Sequence, residues 1–146
     1  NKLAKLQYTQ NIEVLQSMLE YDFKQIRPAQ FTLVKSIYEQ KMIEIYGFPV
    51  QAWPTSVFSF KENDETYVGS VWFITNKDPF KDSELGMYAE ILYRFLSKWY
   101  TPKFEVNPAY CIAVEPKRGT HVSYKMIKDG KVISVLDKTL LKIKEM

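Results

Sequence analysis

At 146 residues a single domain is expected, long enough to bury roughly 68–70% of the surface its unfolded chain exposes. Apolar residues make up 46%, aromatic residues 15% and charged residues 25%, with 5 Gly and 7 Pro, which excludes collagenous, low-complexity and disordered classes. The net charge of +3 is too small to imply a polyanionic partner, and it is unevenly placed: residues 1–100 hold 11 basic and 12 acidic side chains, residues 101–146 hold 9 and 5.

One cysteine, Cys111, cannot close an intramolecular disulfide, and one histidine, His121, cannot build a His-rich zinc site. No metal and no cofactor are expected. The longest apolar runs, such as Val71–Ile74, fall far short of the roughly 18–20 residues a membrane span needs. No signal peptide opens the chain, so a soluble domain without a membrane span is expected. Asn1 stands where a start methionine would, as in a trimmed fragment whose anchor or targeting segment has been removed, and the compartment stays open.

From Tyr8 the apolar residues fall at Tyr8, Ile12, Leu15, Leu19, Phe23 and Ile26, steps of three and four that keep them on one helical face and predict a helix through Ile26. Pro28 interrupts it, and Arg27 reads as a corner. A second helix is expected from there to about Tyr46, with the stripe Phe31, Val34, Tyr38, Met42 and Ile45 broadened by Leu33, Ile37 and Ile43, and with Gly47 as a left-handed stop. Phe48–Pro54 holds two prolines and reads as an extended connector.

Strands are predicted at Ser56–Lys61 and Thr66–Thr75 around the polar turn Glu62-Asn63-Asp64-Glu65. In the second strand both alternating sets are apolar, Val68, Trp72 and Ile74 against Tyr67, Val71 and Phe73, so it should lie centrally, covered on two faces. Asp82 and Glu84 begin a third helix with Leu85, Tyr88, Leu92, Phe95 and Trp99 on its buried side, and Pro102 closes it.

Short strands are then expected at about Lys103–Val106 and Tyr110–Glu115, flanking an Asn107-Pro108 turn. Alternation from His121 to Met126 leads to Asp129-Gly130, a two-residue hairpin signal that makes Lys131–Leu136 the return strand. Asp137 caps a last short helix carrying Leu140, Leu141 and Ile143, although Lys138–Lys144 also alternates like a strand. The fold class that follows is α+β: two N-terminal helices and one central helix on a mostly antiparallel sheet of five to six strands. Residues 1–146 form one domain, with the 1–26 helix able to project as an interaction segment.

No catalytic signature emerges. Glu115-Pro116-Lys117, Glu105 and Glu90 are the nearest approach to a carboxylate site for a divalent cation, but their spacing across a tight hairpin does not place them opposite one another. Lys117-Arg118-Gly119-Thr120-His121 is a basic turn without the glycine spacing of a phosphate cradle. His121 has no carboxylate or nucleophile beside it in sequence, and Cys111 reads as a small buried residue, although folding could still bring the two together.

The lead expectation is therefore a non-enzymatic protein-interaction module, a subunit or adaptor of a larger assembly or a self-associating chain. Its interface residues are Tyr8, Ile12, Leu15 and Leu19, whose near-heptad spacing suits a partner helix. A nucleic-acid-binding domain is the first alternative, using Tyr110, Lys117, Arg118, Tyr124 and Lys125 on the basic, aromatic C-terminal sheet. A small-ligand-binding or hydrolytic domain is the second, with its pocket between the central helix and the sheet, near Trp72 and Trp99.

Overall fold

Two strand-forming runs around the polar turn Glu62-Asn63-Asp64-Glu65 build the hairpin on which the rest is assembled. The computed structural model describes residues 1–34 and 42–146. In it β4 (Ser56–Glu62) and β5 (Glu65–Phe73) pair antiparallel across Asn63-Asp64. Both turn residues have positive φ, 53° and 66°, the mirror-image turn whose twist matches the strands it joins. β1 (Thr32–Leu33) pairs with the outer edge of β4. After β5 the chain crosses through α2 (Asp82–Trp99) to β6 (Glu105–Glu115), which runs parallel to β5, and β7 (Thr120–Ser123) returns antiparallel to β6. The sheet is thus a five-stranded mixed one, ordered β1-β4-β5-β6-β7.

β5 is central and covered on both faces, as its two apolar sets require. On one face Val68 joins Val57, Cys111, Leu92, Phe95 and Leu96 in the main core under α2. On the other, Val71 packs with Phe58, Phe60, Ile112 and Val114, with Tyr21 and Ile26 above them. Leu85, Leu92, Phe95 and Leu96 of α2 are fully buried, each worth about 1.5–3 kcal/mol of transfer free energy. This layer, the expected place of a ligand pocket, is filled by side chains.

Several elements differ from expectation. α1 (Lys2–Glu20) ends six residues early: Tyr21 is extended, and Asp22 caps a separate 3-10 helix, Phe23–Ile26, its Oδ1 accepting from the Lys24 N–H at 3.0 Å. The second N-terminal helix is replaced by β1 and by a two-stranded sheet, β2 (Met42–Ile45) and β3 (Phe48–Gln51). Positions 35–41, with Ile37 and Tyr38, lie outside the described residues. The reason for the change is visible at the turn. Tyr46 and Gly47 both have positive φ, 52° and 80°, so Gly47 closes a hairpin where a helix stop was expected, and Ile43 and Ile45 alternate inward while Met42 and Glu44 face out. Pro49 is tolerated because a two-stranded sheet is all edge.

Asn107-Pro108 does not reverse the chain. β6 continues past it, and four of its residues, 107–110, bulge out opposite the single Gly69 of β5. Asn107 holds the bulge, its Oδ1 accepting from the Ala109 N–H at 2.9 Å.

The alternation from His121 also stops early. Ser123 Oγ accepts from the Met126 N–H at 3.3 Å and starts α3 (Tyr124–Lys128). Asp129-Gly130 then ends that helix: Gly130, at φ 76°, donates to Ile127 O at 3.1 Å, and Lys131 donates to Met126 O at 2.9 Å, the paired bonds of a Schellman cap. No return strand forms at residues 131–136. α4 (Leu136–Lys144) is a helix with Leu136 and Leu140 buried.

The bulge yields a stability prediction. A Cβ built on Gly69 would lie 2.7 Å from both Cβ and the carbonyl oxygen of Tyr110, atoms that cannot withdraw without moving β6. Gly69→Ala is expected to cost about 1–3 kcal/mol, read as a lower urea midpoint with unchanged slope.

Candidate functional site

The 3.6-residue period divides α1 into faces with different fates. Gln10 and Ser17 are half-buried, and Glu13 between them reaches the Lys117 ammonium at 3.8 Å. Positions 10, 13 and 17 therefore face the body. At about 100° per residue the set Tyr8, Ile12, Leu15 and Leu19 is centred on roughly the opposite side, and exposures of 69% for Tyr8, 37% for Ile12 and 84% for Leu19 agree. The Leu15 position shares this face; its side chain lies outside what the structure describes. None of the described side chains of the stripe, Tyr8, Ile12 and Leu19, is buried on the sheet of its own chain.

Where α1 stops, the chain turns inward. Tyr21 and Ile26 are buried in the second core, and the Tyr21 hydroxyl lies 2.9 Å from His121 Nδ1 on β7. Phe23 meets Tyr21 and Phe73 edge-on. Burial, and then the Asp22 carboxylate, pushes the Tyr21 phenol up to about 12, so it keeps its proton at neutral pH. Burial lowers the His121 imidazole. A neutral imidazole can accept the phenol's hydrogen bond at Nδ1; a protonated one can only donate, and the bond must then reverse.

A cleft of about 420 Å³ opens beside this contact, lined by Ser17, Glu20 and Asp22 on one wall and Lys117, Arg118 and Gly119 on the other. Opposite charges face one another across it, so it has no single electrostatic sign. The Arg118 Nε also lies 3.8 Å from Oε1 of the buried Glu115, whose Oε2 accepts the Phe80 N–H at 2.8 Å. Glu115 thereby fastens the segment between β5 and α2 to the end of β6.

The remaining sequence candidates are scattered. Tyr110 packs among Phe58 and Phe60 on the α1 side of the sheet. Tyr124 stacks on Tyr93 of α2 at 4.1 Å, on the other side. Lys125 is bonded to Asp129 at 2.8 Å on α3, while Lys117 and Arg118 sit together on the β6–β7 turn. Tyr110 and Lys125 line a common cleft of about 450 Å³ with Lys128 and Asp129, but the five residues are not assembled into one platform.

Glu105 and Glu115 stand at opposite ends of β6, and Glu90 binds Arg94 on α2 at 2.6 Å. The Glu105 carboxyl is raised by the hydrogen bond it shares with Glu65, then by that neighbour's charge and by desolvation. Among the described residues no group of three or more His, Cys, Asp or Glu could hold a metal ion, and no helix is long and apolar enough to cross a membrane. Cys111 and His121 occupy opposite faces of the sheet: the thiol points under α2, pushed far above its ordinary range by burial, while His121 faces Tyr21.

Sequence reasoning missed the Tyr21–His121 contact, because the partners lie 100 residues apart and no local pattern links them. It predicts a pH effect. Since the folded His121 pKa lies below the ordinary 6.5, the unfolded chain binds the extra proton. The contribution is full above that value and declines as pH falls through the window beneath it. Thermal midpoints of wild type and His121→Gln should converge on acidification from about pH 7.5 to about pH 5; a constant difference would count against the role assigned to the imidazole.

Comparison with protein-family models, with curated proteins and with solved structures finds no match to this chain.

Proposed function

We propose that this chain is a protein-interaction module, a subunit or adaptor of a larger assembly, that docks through the outward stripe of α1. The observation that carries this reading is the orientation of the helix. Its polar positions Gln10, Glu13 and Ser17 lie toward the body, while Tyr8, Ile12 and Leu19 are presented to solvent. A contiguous apolar face left uncovered on a folded body marks an interaction site, and a helix offering anchors three and four residues apart suits helix-against-helix or helix-in-groove recognition. The body beneath it is well packed without this face, since its cores draw on the sheet, α2, α4 and the segment from Tyr21 to Ile26.

Protein docking is favoured over the nucleic-acid alternative because the rings that alternative needs lie on different faces of the sheet and are already engaged by other rings. Tyr110 is engaged by Phe58 and Phe60, and Tyr124 by Tyr93.

The test separates a docking face from a core face. At low protein concentration, Ile12→Gln with Leu19→Gln should leave unfolding free energy within about 0.5 kcal/mol of wild type, whereas Leu92→Ala, in the core, should lose about 2–5 kcal/mol. Amide hydrogen exchange should find α1 opening more readily than α2. A loss above about 2 kcal/mol in the α1 variant would make the stripe part of the fold and remove this reading.

A further inference from the structure

The charges on α1 run against its own dipole. A helix carries positive partial charge at its N-terminus and negative at its C-terminus, so acidic side chains belong in the first turn and basic ones in the last. In α1 the first turn has no acid and the last turn has no base. Lys2 and Lys5 stand at the start, Glu13 and Glu20 toward the end, and Asp22 follows. In an isolated helix both ends are mismatched.

The positions that border the apolar stripe are Ala4, Lys5, Thr9, Asn11 and Gln16, of which Lys5, at the N-terminal end, carries the one charge. Along the middle of the stripe the border would neither repel an identical helix nor select a partner of one sign. The complement of this element, apolar along the middle, acidic where α1 is basic and basic where it is acidic, is the same element turned end for end.

From this charge order and the outward stripe, we propose that α1 pairs antiparallel with α1 of a second copy of this chain. The inference rests on the reading of α1 as a docking element and names its occupant. In the pairing Tyr8 lies against Leu19 of the other copy and Ile12 against the Leu15 position, both twice by symmetry. Lys5 of one copy then lies within one helical turn of Glu20 of the other and on the same flank, with Lys2 beyond it, and the two helix dipoles oppose each other. A parallel pair would set Lys2 and Lys5 against themselves and Glu20 against Glu20.

From Tyr8 to Leu19 the helix rises about 16 Å, so the contact belongs to the small end of protein interfaces, below about 1,200 Å². The dimer is accordingly weak and concentration-dependent. Packing along the stripe holds it together, and the end charges set its direction.

Sedimentation equilibrium of the full chain over a concentration series tests this, together with resonance energy transfer between two differently labelled samples. Wild type should move from monomer to dimer. Ile12→Glu with Leu19→Glu should weaken association on the order of 100-fold while retaining the fold. Lys5→Glu with Glu20→Lys, which preserves net charge, should self-associate as wild type does. Its mixed dimers with wild type should be depleted about twofold to fivefold from the statistical share, because each mixed pair sets like charges together.

Three results would overturn the inference: wild type monomeric throughout the series, a dimer indifferent to Ile12→Glu and Leu19→Glu, or mixed dimers enriched, which would mean parallel pairing. A monomer whose stripe substitutions still leave stability unchanged would sink self-pairing and keep α1 as a docking element for another protein. Unfolding of the stripe variants at low concentration would instead remove the docking reading itself.

Discussion

Everything in this molecule depends on β5 being able to lie between an antiparallel and a parallel neighbour while apolar on both faces. Two buried faces need two covers. α2 supplies one through Leu92, Phe95 and Leu96; the other comes from Tyr21 and Ile26, delivered by the break in the chain at Tyr21-Asp22. The parallel partner must also be admitted, and Gly69 admits it. Having no side chain, it leaves room for the bulge at residues 107–110, so that β6 can lose register against β5 and recover it by Cys111. A bulge of this kind is a device of the architecture, one that re-aims side chains along a strand.

The ends of α2 are fixed by different chemistry. At its start the Phe80 N–H donates to the buried Glu115 carboxylate, and the Glu84 carboxylate takes the Lys81 N–H at 3.0 Å. Farther along, Arg94 joins Glu90 of its own helix to Asp137 of α4, and the β2–β3 hairpin lays Ile43 and Ile45 on the core while the Trp99 indole donates to Met42 O at 3.3 Å. The exposed Arg94–Asp137 pair contributes little beyond orientation, whereas Arg94 keeps the buried Glu90 carboxylate paired; burial of Leu85, Leu92 and Phe95 supplies the stabilisation.

Legibility in the sequence followed the range of the interactions concerned. The β4–β5 hairpin and α2 could be read because their signals are local, strand-forming runs around a polar turn in residues 56–73 and steps of three and four from Leu85 to Phe95. Turn residues misled wherever one signal serves two structures. Gly47 and Gly130 both take positive φ, and that preference suits a helix stop and a hairpin alike. Gly47 fits a helix stop in sequence and closes a hairpin in the fold; Gly130 fits a hairpin in sequence and stops a helix in the fold, because Ser123 caps α3 first. The apolar positions of α1 are periodic and legible, but the break that sends Tyr21 and Ile26 inward while Tyr8, Ile12 and Leu19 stay outside is not. Which way a stripe faces is decided by contacts such as Glu13 with Lys117 and Tyr21 with His121, over separations of about a hundred residues that no local window contains.

The break at Tyr21 divides one hydrophobic pattern between two kinds of selection. Past it, Ile26 joins Tyr21 in the second core, where substitution disturbs the packing. Before it, Tyr8, Ile12 and Leu19 stand exposed, while Glu13 still meets Lys117. Those outward positions can change their surface chemistry while the buried clusters beneath, built from other elements, keep theirs.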